Sequence, residues 1–137
     1  MLSGLDRIGA GFFEGLEGRR LALICNQTSV DRLAQHAVQV LNEIPGAKVA
    51  LLMGPEHGIW STHQDMEAVP HEQGAGHDAV FGIPTRSLYG SDVESLTPPP
   101  EWFADIDAIV YDVQDIGTRY YTYAATLALT METAART

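Results

Sequence analysis

Three unbroken apolar runs constrain this chain more than any other feature: "LALIC" at 21–25, "VALLM" at 49–53 and "AIVYDV" at 108–113. A strand with one face in water alternates apolar and polar residues. A continuous run predicts a strand covered on both faces, as in a parallel sheet sandwiched between helices. The segments between the runs fit that reading. Leu33, Ala37, Val40 and Ile44 recur at helical spacing and are closed by Pro45 and Gly46. After the third run, Tyr120, Ala124, Leu127, Met131 and Ala134 predict a long helix with that stripe inward. Leu5, Ile8, Phe12 and Leu16 predict an opening helix that ends at Gly15 and Gly18, and Ser29 and Asp31 are candidate helix caps. Strand alternating with helix predicts one α/β domain over 1–137 with a mostly parallel sheet. At 137 residues there is room for one real core and hardly for two.

The connection from Pro55 to Glu101 is too long for an ordinary loop. It carries Trp60, Phe81 and Tyr89, which predicts an ordered, site-forming excursion with a short strand near 85–88. The triplet "PPP" at 98–100 leads into a short helix that contains Trp102 and Phe103.

Charge excludes some partners. Eighteen acidic residues face eight basic ones, for a net charge of −10, and Lys48 is the only lysine. Nucleic acid and anionic lipid both require clustered cations, so neither is an expected partner. No basic segment followed by an apolar run opens the chain, and no 18 successive residues are apolar, so neither a signal peptide nor a membrane span is expected in it. A single cysteine, Cys25, allows no internal disulfide and leaves the compartment open.

All three runs end in polar clusters: "NQTS", "GPEHG" and "DVQDIGTRYYTY". In a parallel sheet these ends share one edge, and ligands of open α/β sheets bind outside it. That edge gathers Glu56, His57, Asp112, Asp115, Arg119, Asn26, Gln27 and several tyrosines. Neither phosphate-cradling glycine motif is present, nor a G-x-S-x-G elbow. Carboxylates set among amides and aromatic platforms suit glycoside chemistry, in which one group protonates the leaving oxygen. Each residue also has a plainer reading. Glu56 could cap a helix, His57 could bond to backbone, Asp112 and Asp115 could cap the turn before the last helix, and Asn26 and Gln27 could brace their own turn. Tyr120 belongs to the apolar stripe, which leaves Tyr121 and Tyr123 as the site candidates, with Trp60 a further aromatic platform.

The stretches "GLDRI", "LEGRRLALICNQTSVD", "LLMGPEHGIW", "IPTRSLYG", "IDAIVYDVQDIGTRYYTY" and "ATLALTMETA" together resemble the N-terminal half of the exo-acting β-N-acetylmuramidase family, long carried as a domain of unknown function. The resemblance runs in order through nearly the whole chain; the loop around 60–82 departs from the family's commoner form. It implies a Rossmann-like three-layer domain, with a smaller C-terminal domain beyond it that completes an active-site cleft. It implies release of N-acetylmuramic acid from the non-reducing end of peptidoglycan fragments, without a cofactor. It further implies catalysis by Glu56, supported by His57 and Asp115. Asn26, Gln27, Trp60, Arg119, Tyr121 and Tyr123 would bind the sugar. Arg119 suits the lactyl carboxylate of muramic acid, since a planar guanidinium pairs well with a carboxylate; its plainer reading is an ion pair with Asp112 or Asp115. Two rival classes stand beside this one. His57, His63, His71 and His77 with Asp65 or Glu67 could make a metal-dependent hydrolase, although HExxH is absent and the spacings are loose. A sugar-binding module could use the same edge without turnover.

Overall fold

A computed structural model describes residues 2–64 and 76–137. Its centre is a four-stranded sheet built from β1 (Arg20–Cys25), β2 (Lys48–Gly54), β3 (Thr85–Ser87) and β4 (Ala108–Asp112). The spatial order is β3-β2-β1-β4, and every pairing is parallel. Successive strands step outward from β1 to β3, and then the chain returns to the other side of β1. The order therefore reverses between β1 and β4, the kind of switch point at which open α/β sheets hold ligands.

The apolar runs are sorted by the pleat. Leu21, Leu23, Cys25, Val49 and Leu52 pack to one side, beneath α1 (Gly4–Gly9) and α2 (Ala37–Asn42). Ala22, Ile24, Leu51 and Met53 pack to the other, with Leu88, Phe103 and Tyr123 of the side that carries α3 (Tyr123–Ala134). Three layers result, as in a Rossmann-like domain. β1 and most of β2 are sealed on both faces, whereas every residue of β4 is only half-buried, because β4 pairs with β1 alone. The expected short strand at 85–88 is β3, and the proline triplet leads into a 3-10 turn at Pro100–Phe103.

Three expectations are corrected. The opening helix stops at Gly9, because Gly11 takes a φ of +93° and turns the chain away; Phe12 is left exposed under the Arg7 guanidinium. Neither Ser29 nor Asp31 caps α2. His36 does, accepting from the Val38 N–H through Nδ1 at 3.3 Å, so the helix begins later than the Leu33 stripe implied and Leu33 is exposed. The stripe on α3 is also wrong: Tyr120 is 86% exposed and precedes the helix, and Met131 is exposed. The buried face is instead Tyr123, Thr126, Thr130 and Thr133. Thr126 can face the core because its hydroxyl donates to the Thr122 carbonyl at 3.0 Å, which leaves its methyl group to pack. Leu127, Met131 and Ala134 line a hollow of about 390 Å³ along the outer edge of β4.

Candidate active site

The corner after β2 is built by its glycines. Gly58 N–H donates to the Pro55 carbonyl at 2.8 Å and closes a four-residue turn around Glu56 and His57. This turn folds back onto β2 so tightly that a Cβ on Gly54 would lie 3.0 Å from the Ile59 nitrogen. His57 holds a φ of +69°, a left-handed backbone uncommon outside glycine, and Gly58 follows at +78°. Such backbone strain concentrates where a chain must aim a side chain. His57 is fixed by its ring: Nδ1–H donates to the His63 carbonyl at 3.1 Å, and the ring lies 6.1 Å from that of Tyr121.

Glu56 is almost completely buried, at 5% exposure. No helix begins at this corner for it to cap. Among the described residues its hydrogen-bond partner is a hydroxyl: Thr122, at the start of α3, donates to Glu56 Oε2 at 2.8 Å.

In front of this corner a hollow of about 470 Å³ opens across the switch point. Asn26, Gln27 and Thr28 line it from β1, His57 and Ser61 from β2, and Gln114, Asp115 and Ile116 from β4, with Tyr121 and Tyr123 at the base of α3. Its two central walls are tied together by Ser29, whose hydroxyl accepts from the Asn26 N–H and donates to the Asp112 carbonyl. Ser61 Oγ donates to Gln27 Oε1 at 2.5 Å and joins the turns after β1 and β2.

The sequence candidates divide on this geometry. His57, Asp115, Asn26, Gln27, Tyr121 and Tyr123 meet around one hollow; Glu56 precedes His57 in the turn but, nearly buried, does not itself line it. Asn26 is fully engaged: its Oδ1 accepts from both Thr28 N–H and Thr28 Oγ1–H, and its Nδ2 donates to Tyr123 Oη at 3.3 Å. It braces the wall. Tyr123 is buried and meets Tyr121 edge to face at 4.7 Å. Asp115 is exposed; its Oδ1 accepts from Gly117 N–H at 2.6 Å, which leaves Oδ2 toward solvent. Arg119 is exposed, is not among the lining residues, and makes no ion pair with Asp112 or Asp115. Trp60 lies elsewhere. It lines a separate cavity of about 320 Å³ with His63, His77 and Arg86, stacks on Phe81, and donates from Nε1 to Asp78 at 2.6 Å.

Behind the hollow, beside the Asp112 that sequence reasoning named, lies His36, which it missed. His36 Nε2–H donates to the Asn26 carbonyl at 3.2 Å, and its ring packs against Trp60 and Phe81. Burial holds His36 below the usual histidine range, and it is neutral with its hydrogen on Nε2. Burial pushes the neighbouring Asp112 carboxyl up, and one of its oxygens, Oδ2, is sealed without a partner. Burial and the nearby Asp112 and Asp78 carboxylates push the Cys25 thiol up to about 12. Among the described residues no three His, Cys, Asp or Glu side chains converge as a metal cage; Asp65, Glu67 and His71, named for the metal reading, lie outside the described residues.

A parallel sheet with the order β3-β2-β1-β4 between helical layers defines a Rossmann-like α/β domain, with a polar hollow at its switch point. The chain belongs to the family described as "Exo-beta-N-acetylmuramidase NamZ, N-terminal", whose family model matches residues 21–137. It is 36% identical over 132 residues to the peptidoglycan β-N-acetylmuramidase NamZ of Bacillus subtilis, covering 96% of this chain and 30% of that one. A crystal structure of a DUF1343 family protein from Bacteroides fragilis superposes with a TM-score of 0.80 at 36% identity, covering 98% of this chain and 32% of the other. A second DUF1343 structure from the same organism, at 24% identity, shares the fold with a TM-score of 0.71. This chain thus spans about a third of the length of the relatives it matches.

Proposed function

We propose that the intact protein is an exo-acting glycosidase that releases N-acetylmuramic acid from the non-reducing end of peptidoglycan fragments. The observation that carries this reading is Glu56: a nearly buried carboxyl on the strained turn whose next residue, His57, lines the switch-point hollow, bonded among the described residues to one hydroxyl. A capping role would call for a backbone N–H on the carboxylate, and among the described residues none donates to it. Glu56 acts as general acid–base catalyst: it protonates the glycosidic oxygen as the bond to the sugar's anomeric carbon breaks, and the bonding pair leaves with that oxygen. His57, locked by His63, orients the turn and faces the leaving group. Asp115 Oδ2 and Gln27 reach sugar hydroxyls, and Tyr121 offers an aromatic face. Tyr123 and Asn26 hold that face in place, and Arg119 and Trp60 act at the margins of the site. No cofactor is needed, since the chemistry is proton transfer and C–O cleavage. The relatives are about three times as long, and a C-terminal domain of that kind closes the hollow into a cleft.

The test is product analysis. The intact protein, incubated with muropeptide-free glycan fragments that end in N-acetylmuramic acid, should release that monosaccharide and shorten the chain by one residue. Saturable binding with no product would make this a sugar-binding module instead. Turnover abolished by chelation and restored by zinc would favour the metal reading.

A further inference from the structure

Thr122 breaks a local rule. It occupies the position before the first turn of α3, where a threonine hydroxyl ordinarily accepts a backbone N–H from inside the helix. Here the hydroxyl makes no such bond. It turns the other way and donates to Glu56 Oε2 at 2.8 Å, across 66 residues of sequence. Natural chains give up local stability of this kind mainly at functional sites. The backbone of Thr122 is itself fixed, because its carbonyl accepts from both Thr126 N–H at 2.8 Å and Thr126 Oγ1 at 3.0 Å. Thr126 is completely buried, so the donor is mounted on a rigid base.

The two oxygens of Glu56 are therefore unlike. Oε2 is taken by Thr122. Among the described residues none donates to Oε1, and it is not among their sealed, partnerless atoms, which are His63 Nδ1, Asp112 Oδ2 and Thr130 Oγ1.

Resting on the general-acid reading of Glu56, we infer that Thr122 is its positioning residue, holding Oε2 so that Oε1 carries the transferred proton. The proton passes from Oε1 to the glycosidic oxygen, and the electron pair of the O–H bond stays on the carboxylate. The Thr122 hydroxyl keeps donating to Oε2 throughout. A hydrogen bond to a carboxylate is about twice as strong as one to a neutral acceptor, so this bond tightens as the proton leaves. It favours the transition state over the ground state, which is what raises kcat and not merely binding.

The test uses Thr122→Val, which keeps the shape and removes the donor, Thr122→Ala, which removes it without adding bulk, and Thr122→Ser, which keeps it. The intact protein is assayed for kcat and KM, and the Glu56 side-chain carboxyl is followed through a pH titration by 13C NMR. The other titratable groups about the corner are His57 on the turn, Asp115 beyond β4, and Tyr121 and Tyr123 on either side of Thr122; none is altered. We expect kcat to fall at least about tenfold in the valine and alanine variants with KM little changed, in line with the loss of a hydrogen bond to a charged group. The Glu56 signal should titrate at higher pH in both, since the lost bond favoured the ionised form. The serine variant should restore both. A donor-less variant with kcat within twofold of wild type, or with an unmoved Glu56 titration, overturns the inference; a lower melting temperature alone would make Thr122 purely structural. Glu56→Gln is run alongside. If it is inactive while Thr122→Val is fully active, this inference fails alone; if it is fully active, the general-acid reading fails and the inference with it.

Discussion

His36 offers a stability prediction whose size can be worked from its contacts. It performs three tasks at once: Nδ1 caps α2, Nε2–H donates to the Asn26 carbonyl, and the ring packs against Trp60 and Phe81. Losing a helix cap costs about 1 kcal/mol. The Asn26 carbonyl keeps the Ser29 N–H at 3.1 Å, so losing the His36 donor costs only about 1 kcal/mol, and the lost ring contacts add on the order of 1 kcal/mol. His36→Ala should therefore destabilise by about 3 kcal/mol. Asparagine caps as well as any residue, so His36→Asn should keep the cap and lose only about 2 kcal/mol. The pH dependence is the sharper signature. The folded-state pKa of His36 is lowered from 6.5 by burial, so between that lowered value and 6.5 the unfolded chain binds more protons than the folded one. Its contribution is then fully present above about pH 6.5 and is lost as the pH falls toward the folded value. The structural reason is that a proton on Nδ1 ends its ability to accept from Val38. Asp112 acts with the opposite sign: its folded pKa is raised from 3.8 by burial, so its contribution is present below about 3.8 and is lost as the pH rises through the folded value. Urea unfolding of wild type and His36→Asn at pH 7.5 and pH 5.5 isolates the His36 contribution. The wild type should lose stability between the two, and His36→Asn should lose measurably less. Equal pH slopes in the two proteins, or a cost below about 1 kcal/mol for His36→Ala, would refute the three-task account.

Two further outcomes follow from the corner and the core. Gly54→Ala places a methyl group against the backbone of Ile59, within 3.0 Å of its nitrogen; overpacking of this kind costs about 1–3 kcal/mol, and activity should fall with it, because the same turn carries Glu56. Calorimetry with an activity assay checks both, and a variant as stable and active as wild type would mean the turn can shift freely. Cys25 is completely buried and its thiol is pushed up to about 12, so it should resist a thiol reagent at pH 8 until the protein is unfolded; stoichiometric labelling of the folded protein would contradict that burial.

The strands were legible because a sheet covered on both faces leaves no polar alternation to confuse the reading. The same logic placed the polar clusters on one edge, and with them Glu56, His57, Asp115 and the tyrosines. Other features could not be read this way. The inner face of α3 is largely threonine, and threonine counts as polar until a hydroxyl is seen returning to the carbonyl four residues back, as in Thr126. A histidine is not an expected cap, so His36 was passed over in favour of Ser29 and Asp31; the glutamine three residues on, Gln39, whose side chain returns to the His36 N–H, was the available signal. Thr122 was hidden for a related reason. Its place before a helix gives a hydroxyl an ordinary task, and only the fold shows that hydroxyl facing Glu56. Trp60 and Tyr123 are equally aromatic in sequence, yet the turn at 55–58 sends the first into a neighbouring cavity while α3 brings the second to the hollow.

The central claim is that Glu56 moves a proton, and Glu56→Gln in the intact protein tests it most directly. Glutamine keeps the shape and can still accept from Thr122, but it cannot give up a catalytic proton. General acid–base groups contribute about 10²–10⁴-fold, so turnover of a chromogenic N-acetylmuramic acid glycoside should fall by at least about 10²-fold, with a melting temperature close to that of wild type. A glutamine variant that hydrolyses the glycoside at near-normal rate, and differs only by a lower melting temperature, would contradict the account.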